Sequence, residues 1–193
     1  MMHKFSLTVF VFLALVLATD PSVQGTVVIP KTLTQLSAEA DLVVVGTVTE
    51  NSAAFLKGKK IIYTHTQVRV EATLIGKHQK TLRISEPGGS VGDVHCGVAS
   101  MPRYAIGERV LIFLKKDALG FWRTHGLRQG RFKIIHDQRE DEMLIPARPG
   151  LNQVIQKEFP PNERSNSGAV GLEEFREKIL DLRRQAQEKK KGK

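Results

Sequence analysis

A single cysteine, Cys96, is present in the 193 residues, so no disulfide can close within the chain. An exported chain without disulfides fits a bacterial envelope or medium better than a small disulfide-stapled animal domain. Its stability must then come from a packed core. No cysteine follows the apolar run near the N-terminus, which argues against a lipid-anchored lipoprotein. No second long apolar run follows the first, so no transmembrane segment is expected after signal cleavage. Internal repeats are absent. The histidines His65, His78, His95, His125 and His136 are scattered, and no pair has close metal-ligand spacing. Asp93 and His95 would share a strand face, but two ligands are too few for a dedicated site. No metal and no cofactor are expected.

What is present begins with a leader. Met1–Lys4 is short and basic, and Phe5–Ala18 is apolar apart from Ser6 and Thr8. Pro21 and Ser22 break the run, and Val23-Gln24-Gly25 places small residues where a signal peptidase reads. Residues 1–25 therefore read as a secretory signal cleaved after Gly25, with Ala18 as the alternative. The competing reading is an uncleaved anchor or a buried helix. The expected location is secreted or periplasmic. The remaining residues suit a single domain.

Residues 26–146 carry the strand signals. Thr32-Leu33-Thr34-Gln35 has the form of a capping box, and Leu33, Leu36 and Ala40 share a helical face, so a short helix to Ala40 is predicted. Asp41–Val48 is a β-branched strand. Asn51–Lys60 reads as a turn. Ile61–Leu74 alternates, with Ile62, Thr64, Thr66, Val68, Val70, Ala72 and Leu74 on one face, as in a long antiparallel strand with one wet face. Leu82 and Ile84 alternate with Arg83 and Ser85 in the next strand. Pro87-Gly88-Gly89 then stops pairing, and Gly92 and Gly97 are expected to keep the following loop free of regular structure. Val110–Leu114 is a continuous apolar run, predicted to be covered on both faces. Phe121–His125, Arg131–Ile135 and Met143–Ile145 supply further strands. Residues 147–170 read as a surface linker. Residues 171–187 read as an amphipathic helix with Leu172, Phe175, Ile179 and Leu182 in one stripe and Arg183 outside it. Residues 188–193 read as a frayed basic tail. The fold class is thus mostly β: a small barrel or sandwich whose strand count suits an OB-like β-barrel, with a short N-terminal helix and a C-terminal one.

The segments AEADLVVVGTV, VRVEATLIGK, PGGSVGDVHCGV, YAIGERVLIFL and GLRQGRFKI resemble a group of uncharacterised exported bacterial proteins. More distantly they are similar to the netrin-like module, the OB-type domain of the tissue inhibitors of metalloproteinases. The shared features are Ala40-Asp41-Leu42-Val43 leading into the first strand, the Cys96-Gly97-Val98 step and Tyr104 before a strand. The resemblance spans Thr32 to Ile135. It implies a netrin-like barrel. One departure matters: those inhibitors chelate the protease zinc with an N-terminal cysteine, whereas the predicted mature terminus here is Thr26-Val27-Val28. A protease-inhibitor-like role would have to work without that cysteine.

The chemistry-bearing residues gather between Thr81 and Leu114. A nucleophilic cysteine needs a base within hydrogen-bond reach. Neighbouring side chains of an extended chain point to opposite faces, so His95 is a poor base for Cys96, and a small packed thiol is the competing role. Gly88-Gly89-Ser90-Val91-Gly92 lacks the lysine and the following helix of a phosphate loop. The candidate ligand-binding residues are Gly88, Gly89, Asp93, His95, Cys96 and Tyr104. A formal charge of +9 is partly terminal, in Arg183, Arg184, Lys189, Lys190, Lys191 and Lys193. Arg123, Arg128, Arg131 and Lys133, with Trp122 and Phe132 between them, form a second basic cluster. Such a surface can bind nucleic acid, but export argues against that partner. Anionic envelope components fit the compartment better, and simple solubility charge is the plainer alternative. The expected function is an exported binding module for an unidentified protein or anionic partner; the alternative is an exported enzyme using Cys96 as nucleophile.

Overall fold

The computed structural model describes residues 28–136, 142–146, 159 and 169–192. The expected leader and most of the expected linker lie outside them. Thr32 opens helix α1 (Leu33–Glu39) with a complete capping box. Its Oγ1 accepts from Gln35 N–H at 3.1 Å, and Gln35 Oε1 accepts from Thr32 N–H at 2.9 Å.

Strand β1 (Leu42–Phe55) runs past the expected end at Val48. Residues Asn51–Phe55 are strand, not turn, because they pair with Thr66–Ile62 of β2 (Ile62–Ile75). The turn is confined to the tip, where Leu56 N–H donates to Ile61 O at 2.8 Å and Gly58 adopts a φ of 75°. β2 does not keep one uninterrupted alternation. Register shifts between Val43/Val44 and Val45/Gly46 break the pairing near Leu74 and Glu71. Val68 and Val70 therefore pack into one core while Ala72 and Leu74 face another.

The chain continues as β3 (Thr81–Pro87), β4 (Gly89–Val91), β5 (Val94–Cys96), β6 (Arg109–Lys116), β7 (Trp122–Thr124), a 3₁₀ turn (Leu127–Gly130), β8 (Arg131–His136), β9 (Glu142–Pro146), β10 (Val170–Gly171) and α2 (Leu172–Lys191). The glycine-rich segment thus does contain regular structure. β4 and β5 form a separate two-stranded ribbon, with Gly89 opposite Cys96, Ser90 opposite His95 and Val91 opposite Val94. Gly92, at φ 56°, supplies its turn.

The main sheet has the order β1-β2-β3-β7-β6-β8-β9-β10, and β1 also pairs with β6. The fold is mostly β, with a short helix near the N-terminus and a second at the C-terminal end. Leu42–Val45 of β1 and Val110–Leu114 of β6 are buried on both faces. Leu42, Val44 and Val48 meet Val110, Ile112 and Leu114 in one core with Val68, Leu82, Ile84 and Tyr104. Val43 and Val45 join Leu111 and Phe113 in the other, beneath the two helices. The Val110–Leu114 run, 0% exposed at each residue, is covered as expected.

All four stripe residues of α2 are buried. Phe175 stacks on Phe159 at 5.6 Å and meets Phe132 at 4.9 Å. Phe159, Ala169 and Val170, expected in a surface linker, are 2%, 2% and 0% exposed. The helix also runs past residue 187, through the lysines expected to fray. Arg183, expected outside, turns inward. Its Nη1 donates to the carbonyls of Ser37, Ala38 and Ala40 at 3.0, 2.7 and 3.2 Å, capping the C-terminal end of α1. No helix among the described residues is long and apolar enough to cross a membrane.

Candidate functional site

The β4–β5 ribbon folds across the outer part of the β1–β2 hairpin. Gly88 N–H donates to Ile62 O at 2.8 Å, and Thr64 Oγ1 donates to Gly88 O at 2.8 Å. Glycine is required twice here. A Cβ on Gly89, at φ 132°, would lie 2.5 Å from Thr64 Oγ1, and one on Gly88, at φ 106°, would lie 3.0 Å from Cys96 O. The close approach leaves a cleft of about 380 Å³ between the ribbon, β2, the end of β3 and the segment leading to β6.

Gly88, Gly89, His95, Cys96 and Tyr104 all line this cleft. The separation in sequence between Gly88 and Tyr104 is closed by the ribbon and by the loop that follows it. Asp93 stands apart, exposed in the ribbon turn. Pro87, Val98, Met101 and Pro102 give the cleft apolar wall. Arg103 stands exposed at its rim.

Sequence reasoning missed the polar floor. Asn51 Nδ2 donates to Tyr104 O at 2.8 Å, and Thr66 Oγ1 donates to Asn51 Oδ1 at 2.7 Å. The Tyr104 hydroxyl lies 2.6 Å from Thr124 Oγ1. Thr124 N–H in turn donates to Glu86 Oε1 at 2.7 Å. Glu86 is 6% exposed. Burial pushes its carboxyl above the ordinary value, against the opposing pull of the Thr124 bonds and of Arg123, whose Nη1 stands 3.8 Å from Oε2. Burial and the Glu86 charge likewise push the Tyr104 phenol up. A signal for Glu86 exists in the sequence: Leu82, Ile84 and Glu86 occupy alternate positions, so the acid continues an inward apolar face.

The basic cluster does not form a common surface. Arg131 is 8% exposed, ion-paired with Glu108 and stacked 5.1 Å over the Tyr104 ring. Arg123 binds Asp117 at 2.9 Å, donates to Ser85 O and lies 4.6 Å over Tyr63. Arg128 Nε donates to Met101 O at 3.0 Å, tying the 3₁₀ turn to the cleft wall. Of the four, only Lys133 is exposed. These arginines fasten strands to one another; alternation alone could not distinguish them from solvent-facing cations.

For nucleophilic chemistry the arrangement offers little. His95 Nδ1 is engaged with Ser90 Oγ at 2.7 Å, its directly opposite partner in the ribbon. Ser85 Oγ and His65 Nδ1 are 2.8 Å apart, but Ser85 is 2% exposed. Burial and the charges of Arg83 and Arg123 also push the His65 imidazole down. No group of three or more metal-ligating side chains occurs among the described residues. The cleft has apolar walls and a floor whose hydroxyls are engaged within the protein.

Compared with known proteins, the chain matches no family model, no curated protein and no solved structure.

Proposed function

We propose that this chain is an exported binding module built on a small OB-like, netrin-like β-barrel, with the cleft beneath the β4–β5 ribbon as its ligand site. The observation that carries this reading is the meeting of Gly88, Gly89, His95, Cys96 and Tyr104 around one cleft over a hydrogen-bonded floor. The barrel reading is supported by the pairing circuit β1-β2-β3-β7-β6, which returns to β1 through the β1–β6 ladder. The contact of β3 with β7 is a single parallel bridge, Ile84–Trp122. The leader at residues 1–25 supports a secreted or periplasmic location. At about 380 Å³ the cleft is at the small end of ligand sites. It suits a projecting side chain of a protein partner better than a large cofactor. A protease-inhibitor-like role fits within this reading, without the N-terminal cysteine mechanism.

Gly97 allows a clean test, because it lines the cleft and a Cβ there would meet nothing within 4 Å. Gly97→Phe should fill the cleft and leave the melting temperature unchanged. Partners captured from envelope extract by the wild-type chain should be lost by this variant; equal capture would remove the cleft from the function. Alkylation separates the enzyme alternative. Cys96 is half-buried with no base engaged on it, so iodoacetamide should react slowly at pH 6. A fast rate persisting well below the free-thiol pKa of about 8.5 would make the Cys96 enzyme the leading reading.

A further inference from the structure

The tip of the β1–β2 hairpin combines two features. Phe55 and Ile61 are large apolar side chains, 45% and 43% exposed. Between them stand Lys57, Lys59 and Lys60, all exposed and none ion-paired. From Asn51 to Tyr63 the chain holds these three cations and no acidic residue. Two other exposed apolar turns carry acids: Glu108 follows Ile106, and Asp117 precedes Leu119.

The hairpin also outruns its neighbours. β6 leaves β1 at Thr47, but β3 follows β2 as far as Tyr63 and Gly88 N–H reaches Ile62 O, so the part that projects is the turn from Leu56 to Ile61. Bonds from Leu56 N–H to Ile61 O and from Lys59 N–H to Leu56 O, at 2.8 and 2.9 Å, hold its shape. An ordered, projecting element with apolar side chains ringed by unpaired lysines matches one kind of surface. Anionic headgroups would take the ammonium groups, and the boundary of the acyl region would take Phe55 and Ile61. We propose that the β1–β2 tip docks this protein on an anionic lipid surface. The proposal stands apart from the cleft, since the tip lysines are not among its lining residues.

Sedimentation with vesicles tests it, using the full chain throughout. Every variant then carries the same residues 1–25, and differences report on the tip. The wild-type chain should bind vesicles of equal parts phosphatidylglycerol and phosphatidylcholine and bind pure phosphatidylcholine far more weakly. Replacing Lys57, Lys59 and Lys60 together by alanine should weaken anionic-vesicle binding on the order of a hundredfold. Phe55→Ser should weaken it roughly tenfold, including at raised salt where the lysines are screened. A control replacing Lys189, Lys190 and Lys191 should bind as wild type does. Because the substituted tip side chains are all exposed, melting temperatures should not move. Tip variants that bind like wild type, or a tail variant that alone loses binding, would overturn the proposal. So would a wild-type chain that ignores anionic vesicles and instead forms a dimer sensitive to Phe55→Ser; the tip would then belong to a second copy.

Discussion

Glu86 shows how one side chain can connect the core to the cleft. Its carboxyl continues the inward face of Leu82 and Ile84, yet it is aimed at Thr124 and bordered by Arg123. Burial raises its folded pKa, so the folded state holds a proton at pH values where the unfolded chain has released it. Stability should therefore fall as pH rises from the unfolded value of about 4.3 through the raised folded one. Glu86→Gln removes this titration while keeping an acceptor for Thr124 N–H. Arg123 is not stranded by the change, because Asp117 still holds it. Melting curves across pH should show the two proteins equal in acid and the variant ahead at pH 8. A wild-type chain with no deficit at pH 8 would mean that Glu86 is ionised at no cost.

At the scale of elements, long-range polar fastening decides how the pieces sit. α2 is docked by an apolar stripe, but its angle to α1 is set by Arg183 at three terminal carbonyls. Those carbonyls have no partner within their own helix, and a cation there also meets the negative end of the helix dipole. Arg183→Ala should cost about 1–2 kcal/mol. Arg183→Lys should recover only part, because an ammonium lacks the planar fork of a guanidinium; a chemical-denaturation series measures both. The stripe Leu172, Phe175, Ile179 and Leu182 was legible because helix burial repeats every 3.6 residues. The capping box at Thr32 and the run Val110–Leu114 were legible for the same local reason. Arg183 was not, since its partners lie far away in the chain. The ribbon was missed because three-residue strands rich in glycine carry no periodicity, and the length of β1 because its outer half is polar on a solvated edge. The candidate cleft residues were legible as an unusual loop. Their floor was not, since Asn51, Thr66 and Thr124 are ordinary strand residues until the sheet brings them together.

For the molecule as a whole, the decisive feature is that two cores share the same two strands. Val44 and Ile112 belong to one core, and their neighbours Val43, Leu111 and Phe113 belong to the other. A side chain removed from the helix-side core loosens β1 and β6, and so reaches the core on their opposite face through the backbone ladder. Folding should therefore be a single cooperative event rather than a sheet to which helices are added. Two fully buried residues probe the two sides. Phe175, in contact with Phe132 and Phe159, lies under the helices; Ile84, at the β3–β7 bridge, lies in the opposite core. Phe175→Ala and Ile84→Ala should each destabilise by about 3–4 kcal/mol. In each variant, far-ultraviolet circular dichroism and Trp122 fluorescence should lose their signals at the same denaturant concentration. Trp122 reports on the core opposite the helices, against which it packs. If Phe175→Ala melts the helical signal while Trp122 fluorescence persists to the wild-type midpoint, the cores are separable and the shared strands do not couple them.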